Sequence, residues 1–497
     1  MTSQKKNPAT RYVNDLRRYG FGQSQYKNLS SIVVPVGLSI LFLALIGIFV
    51  AGSQDTYGKD WLVVAVAAVV GGYMALNIGA NDVANNMGPA VGGRVLTVLS
   101  AVLIAAVCES AGAILAGGDV VKTVSKGIIS PGGSVSVSEF RDLMLSALLA
   151  AALWINLATI LSAPVSTTHS IVGGVLGAGI AAAGVALINW VTMAQIAASW
   201  VISPLFGALC AAAVLYFIKQ RILNVEDRLA AARTWVPVLI AAMAAAFTAY
   251  MAMKGLKKIW TPSPLAILAY ALSAFALAYL ASRPYIAART QALQNRKKDV
   301  YSLFNLPLIA GAALLSFAHG ANDVANAVGP LAAIVSTVQD QSQIASQVTI
   351  PLWVMAVGAF GIALGLGLFG PKLIGVVGQK ITRLNSPRAF CVALSAAVTV
   401  LIATALGLPV SSTHIAIGAV FGVGFLREFM ENPNKRKIRP GHKLNATSDD
   451  AFKSRRFRSV RRLVRRHYAY SIAAAWVITV PASALLASLI YALLRAL

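Results

Sequence analysis

The chain has 497 residues, 57% of them hydrophobic and 12% charged, with a mean hydropathy of +0.71. A soluble globular domain carries about 45–50% apolar residues, so this composition excludes a soluble globule and points to a membrane protein of many spans. The net charge of +25, from 42 Lys and Arg against 17 Asp and Glu, does not read as nucleic-acid binding, because the basic residues cluster beside apolar runs as positive-inside topology requires.

A helix crossing a bilayer core of about 30 Å needs roughly 20 apolar residues. Residues 1–29 are polar and basic, with Lys5, Lys6, Arg11, Arg17, Arg18 and Lys27, and are expected to stay in the cytoplasm; no signal-peptide cleavage site follows them. An extra transmembrane helix is expected over 30–51. A span from Trp61 runs to the motif Gly79-Ala80-Asn81-Asp82-Val83-Ala84-Asn85, which is expected at its end, and Gly92-Gly93-Arg94 turns the chain. Further spans are predicted over 95–116, holding Glu109, and over 143–161, with a loop rich in Gly, Ser and Pro over 117–139 between them. The motif Pro164-Val165-Ser166-Thr167-Thr168-His169 follows with a glycine-studded run, and a span over 190–218 closes a first unit of residues 61–218.

Two spans over 235–253 and 264–282, flanked by Arg and Lys, read as a linker hairpin (234–282) with both ends inside. The second unit, 304–494, then repeats the first. Gly320-Ala321-Asn322-Asp323-Val324-Ala325-Asn326 is identical to the first motif at an offset of 241 residues (322 − 81 = 241), and Pro409-Val410-Ser411-Ser412-Thr413-His414 follows the other motif at 245 (409 − 164 = 245). Its spans are predicted from Leu306, over 352–370 and 390–408, and over 470–494. Residues 427–468 carry 14 Lys or Arg against 4 Asp or Glu; Phe457, Val460 and Val464 at helical spacing suggest a segment lying on the anionic inner leaflet. Thirteen crossings with the N-terminus inside put the strongly basic loops in the cytoplasm. The two units then run in opposite directions, a frequent design of secondary transporters, in which polar, broken helix segments from both repeats meet near the bilayer midplane. The expected fold is an all-α polytopic membrane protein with two inverted-topology repeats of about five transmembrane helices each, an N-terminal extra helix and a central two-helix linker.

On a helix, the first Asn, the Asp and the second Asn of each motif share one side. A carboxylate inside a membrane costs at least ~2.5 kcal/mol on insertion scales. Asn and Asp can simply pair between helices, but two duplicated copies argue for a site. Carboxylate and amide oxygens suit a small cation, and a buried Asp is equally suited to carry a proton. The Pro-Val-Ser segments read as helix starts, with Pro in the first turn and hydroxyls capping N–H groups, which makes them anion sites. No Lys or Arg lies at the centre of either motif, so a bound anion depends on N–H dipoles, hydroxyls and co-bound cations or protonated carboxylates. His169 and His414 either relay protons or hydrogen-bond at the helix starts. Glu109, whose matching span offers Gly358-Ala359-Phe360-Gly361, is either a coupling site used by one half or a packing residue facing a polar cavity. Cys108, Cys210 and Cys391 lie in apolar runs without a CxxC pair, so no disulfide framework or zinc site is expected.

The doubled Gly-Ala-Asn-Asp-Val-Ala-Asn with the doubled Pro-Val-Ser-(Ser/Thr)-Thr-His closely resembles the signature of the PiT family of inorganic phosphate transporters. The resemblance implies uptake of inorganic phosphate with a cation, a proton or sodium, across the cell membrane, and in some members a homodimer. Carried over by motif position, it implies an ion and substrate centre of Asn81, Asp82, Asn85, Asn322, Asp323 and Asn326, with Asp82 and Asp323 as ligands if the ion is sodium. Ser166, Thr167, Thr168, Ser411, Ser412 and Thr413 would complete a phosphate cradle, and Glu109, His169 and His414 remain candidates for coupling. Asn85-Asn86-Met87 departs from the Asn-Ala of many members. Some relatives move sulfate, which keeps another tetrahedral oxyanion as the alternative cargo. An intramembrane hydrolase is disfavoured by the lack of HExxH and GxSxG motifs. A channel for a neutral solute would have little need of two membrane carboxylates. No cofactor beyond the co-transported ion is expected, and no nucleic-acid partner.

Overall fold

A computed structural model describes residues 30–130, 135–161, 165–255, 260–339, 350–380, 384–430 and 467–496. The basic N-terminal segment, Pro164 and residues 431–466 of the basic loop therefore lie outside the described residues. Thirteen long helices follow in order among those described: α1 (Ser30–Ala51), α2 (Trp61–Gly92), α3 (Val98–Ala116), α4 (Val137–Ile160), α5 (Thr167–Ala183), α6 (Trp190–Ile218), α7 (Arg228–Tyr250), α8 (Pro264–Gln291), α9 (Asn305–Gln339), α10 (Leu352–Lys380), α11 (Ser386–Ala405), α12 (Ser412–Met430) and α13 (His467–Ala496). All but α5 are long and apolar enough to cross a membrane, and the chain is a multi-pass membrane protein. The 17 residues of α5 span only ~25 Å at 1.5 Å per residue.

Several ends differ from the sequence expectation. Helix α4 starts at Val137, within the expected loop, because Ser136 and Glu139 form a reciprocal capping box. Helix α7 starts at Arg228, where Asp227 accepts from the Ala230 N–H, and α8 runs on through Arg283 and Arg289 to Gln291. Charged heads on long stems reach the interface while the backbone stays helical. The residues after α3 also form helical turns, at Gly118–Lys122 and Thr123–Gly127.

Helix packing follows the small residues, which let backbones approach closely in membranes. A Cβ on Gly79 of α2 would collide with the Ile362 carbonyl of α10, and one on Gly365 with the Leu76 carbonyl. In the other half, a Cβ on Gly320 of α9 would meet the Glu109 carbonyl of α3, and one on Gly112 the Phe317 carbonyl. These two pairs set the register of the repeats: Glu109 corresponds to Ile362 (362 − 109 = 253), as Gly112 does to Gly365 (365 − 112 = 253). The counterpart of Glu109 is thus one residue beyond the stretch expected from sequence, and it is apolar. Gly173 and Gly177 of α5 press on Val480 and Ala484 of α13, while Gly418 and Gly422 of α12 press on Pro204 and Ala208 of α6. Gly320→Ala has no open space for its methyl and is expected to lower thermal stability by about 3 kcal/mol, read as a fall in the melting temperature of the solubilised protein; an unchanged value would contradict this packing.

At one end of the bundle Arg141 of α4 ties three elements together. It lies 3.0 Å from Asp60, just ahead of α2, and donates to the hydroxyl (3.0 Å) and carbonyl (3.1 Å) of Thr337 near the end of α9.

Candidate functional site

Helices α2 and α9 carry the two Asn-Asp motifs through their middles, and both run on past them without a break. This corrects the expectation of a motif at the end of a span and on a broken helix. Each helix instead contains a proline, Pro89 or Pro330, four residues after the second Asn of its motif. Lacking an N–H, each proline releases the carbonyl of Asn85 or Asn326 from the helix ladder. The chain is interrupted elsewhere, before α5 and α12, whose starts point at the motifs. Ser166 accepts from the His169 N–H at 3.2 Å and Ser411 from the His414 N–H at 3.3 Å, so both act as N-caps. Pro409 lies three residues ahead of α12 in a non-helical approach, not in the first turn.

The two half-sites interlock. Asp82 Oδ1 accepts from Thr413 of the second half at 2.9 Å and from Asn81 at 3.2 Å, while its Oδ2 accepts from Thr167 at 3.2 Å. Asn85 donates to the same Thr413 hydroxyl at 2.8 Å. Reciprocally, Asn326 donates to Thr168 (3.1 Å) and Thr167 (3.4 Å) of the first half, and Ser412 donates to Asp323 Oδ2 at 3.1 Å. Asn322 is committed to the chain itself: its amide donates to Thr404 and to the Leu408 carbonyl, and its oxygen accepts from the Val410 N–H. Asn81 and Asn85 are half-buried, whereas Asp82, Asp323, Asn322 and Asn326 are at most 1% exposed.

Sequence reasoning passed over His319, which is central here. Its Nε2 lies 3.0 Å from Asp323 and 3.9 Å from Asp82, and its Nδ1 lies 3.2 Å from Glu109. Glu109 Oε1 in turn accepts from Asn86 at 2.9 Å, so the departure at Asn86 is the partner of the unmatched glutamate. Two signals were available. His319 is one of only five histidines and stands four residues before Asp323, on the same helix face. The residue at its place in the first half is Ile78 (319 − 241 = 78).

Ligand atoms of Asp82, His319 and Asp323 all lie within 4.8 Å of one another, a group able to hold a cation. Asp323 Oδ1 and Asn326 Oδ1 are buried acceptors with no hydrogen-bond donor. His169 and His414 come together as well, with ring centroids 4.8 Å apart, and Trp200 covers His169 at 3.8 Å. The electrostatics are one-sided: three buried carboxylates face one imidazole. A cation is at home in such a site, and an anion enters it only after cations have offset the negative charge.

Buried carboxylates, an imidazole and two hydroxyl-bearing helix starts, converging inside a bundle of apolar helices, define a membrane transporter of small ions rather than an enzyme. The model of the phosphate transporter family matches residues 78–487, and the chain belongs to that family. It is 50% identical over 416 residues, 83% of this chain and 78% of the relative, to a protein of Helicobacter pylori strain J99 named "Putative phosphate permease". A protein of the same description from Thermococcus kodakarensis is 38% identical over 74% of this chain and 89% of its own. Among solved structures, one titled "The sodium-dependent phosphate transporter" matches with a TM-score of 0.76 and 33% identity, covering 88% of this chain and 100% of that one.

Proposed function

We propose that this protein takes up inorganic phosphate together with a cation, sodium or a proton, across the cytoplasmic or plasma membrane by alternating access. The observation that carries the reading is the Asp82, His319 and Asp323 group, with hydroxyls from both helix starts on its carboxylates. Asp82 and the freed carbonyls of Asn85 and Asn326 offer hard oxygens to a sodium ion. The His319 to Glu109 contact offers a place for a proton. Thr167, Thr168, Ser412 and Thr413 border the anion site with their protons directed at Asp82, the Val410 carbonyl and Asp323, and the N–H groups at the starts of α5 and α12 are its donors. Ser166 and Ser411 shape the helix starts, and Asn322 positions the approach to α12.

The exchanged helix pairings, α2 with α10 against α9 with α3 and α5 with α13 against α12 with α6, support two repeats related by an inverted duplication. With the basic segments on the inner face, the N-terminus is cytoplasmic and the 427–468 loop is an inner-surface element. Purified protein in liposomes is expected to accumulate labelled phosphate when a sodium or a proton gradient is imposed, and to ignore excess sulfate. Movement of sulfate without phosphate would overturn the substrate, and uptake indifferent to both gradients would overturn the coupling.

A further inference from the structure

The four residues that lead from α11 into the second cradle, Gly407, Leu408, Pro409 and Val410, are held in an unusual way. Each of their successive carbonyls accepts one hydrogen bond from the side chain of a different element. Thr123, in the helical turn after α3, donates to Gly407 at 2.7 Å. Asn322 of α9 donates to Leu408 at 3.1 Å, Trp200 of α6 to Pro409 at 3.2 Å, and Thr168 of α5 to Val410 at 2.9 Å. Gly407 turns the chain with φ +69°, and the next three residues bring Ser411, Ser412 and Thr413 to the site. A shift of this strap moves at once the hydroxyl on Asp323 and the one on Asp82.

Asn322 belongs to the Asn-Asp motif and Thr168 to the Pro-Val-Ser motif; Thr123 and Trp200 lie outside both. We infer that Thr123 and Trp200 are positioning residues for phosphate binding, which fix the second cradle by clamping its lead-in. Trp200 does so from both sides, since its N–H holds Pro409 of the second cradle and its ring lies on His169 of the first. A sequence feature supports a role tied to the cradles: Ala197-Ala198-Ser199-Trp200-Val201-Ile202 recurs at five of its six positions as Ala473-Ala474-Ala475-Trp476-Val477-Ile478, 276 residues on (476 − 200 = 276). The same offset relates Pro204 and Val480, the residues that meet Gly418 of α12 and Gly173 of α5. The repeated tryptophan therefore stands, in each half, on the helix that packs against a cradle helix.

Backbone carbonyls inside a membrane need donors whatever their role, so the test must separate positioning from simple satisfaction. The inference rests on the cradle as the phosphate site. Thr123→Val is isosteric and removes the hydroxyl; Thr123→Ser restores it; Trp200→Phe keeps a ring on His169 and removes the N–H. Binding of labelled phosphate to the full chain in sodium is expected to weaken about three- to tenfold in Thr123→Val and in Trp200→Phe. Thr123→Ser should bind as the parent does, and the maximal uptake rate should change less than the affinity. A second readout needs no phosphate. Maleimide labelling of Val410→Cys, with Cys108, Cys210 and Cys391 replaced, should become faster when Thr123→Val is added. Unchanged affinity in both variants, or Thr123→Ser as weak as Thr123→Val, or unchanged labelling, would overturn the positioning role. A parent protein that binds no phosphate while Val410→Cys labelling still responds would instead overturn the phosphate reading and leave the clamp standing.

Discussion

Asp82→Asn and Asp323→Asn are each expected to reduce gradient-driven phosphate uptake by at least ~100-fold while the protein still folds. An interaction between unit charges about 4 Å apart is of the order of 4 kcal/mol at an effective dielectric near 20, and each 1.4 kcal/mol is tenfold in affinity. Removing one carboxylate from the centre therefore takes away about 4 kcal/mol of attraction for a cation, and with it the condition for admitting an anion. Folding should survive because Asn keeps the carbonyl acceptor that Asp82 presents to Thr413 or Thr167, and that Asp323 presents to Ser412. The two variants should nevertheless differ. Asp82 is met by two hydroxyls and an amide and has only a distant contact to His319, so its loss mainly removes a cation ligand. Asp323 is the near partner of His319, and its loss also frees that ring. Uptake in liposomes under sodium and proton gradients, with melting temperatures on the same preparations, checks both statements. Retention of more than about a tenth of the parent rate in either variant would show that its carboxylate is not in the transport centre.

The duplication was legible in the sequence because its motifs are polar letters in an apolar text. Membrane helices tolerate few such letters, so an identical run of seven, 241 residues apart, reads as a duplication. That helices start within the two Pro-Val-Ser segments was legible too, but not where: Pro409 lies ahead of the first turn, and the helices begin at Thr167 and Ser412 behind serine caps. What sequence could not supply was register between helices. Glu109 and Asn86 are 23 residues apart in the chain, and only the packing of α3 on α9 at Gly320 and Gly112 brings Glu109 to His319. His319 itself was not legible from the duplication, because the halves share the motif but not this position, where the first half has Ile78. The asymmetry is chemically informative. Only one of the two duplicated centres has acquired a titratable partner.

His319→Ala is expected to lower stability by about 3–5 kcal/mol, because it leaves Glu109 and Asp323 buried without the ring they both face. Taken alone, that loss would not distinguish a structural ion pair from a coupling group, since an unfolded transporter carries nothing. The double variant Glu109→Gln with His319→Gln makes the distinction. It replaces both titratable partners together, and amides can take up the line of contacts from Asn86 through residues 109 and 319 to Asp323. Replacing both partners of a buried charged pair by neutral groups of similar shape is commonly tolerated, whereas deleting one is not. The melting temperature of the double variant should therefore return close to that of the parent, within about 1 kcal/mol in stability, while phosphate accumulation stays lost. Recovery of uptake along with stability would show that the imidazole serves packing alone, and that the cation on which phosphate entry depends is bound without it. The expected outcome, a stable protein that does not accumulate phosphate, would place the His319 and Glu109 pair within the transport cycle.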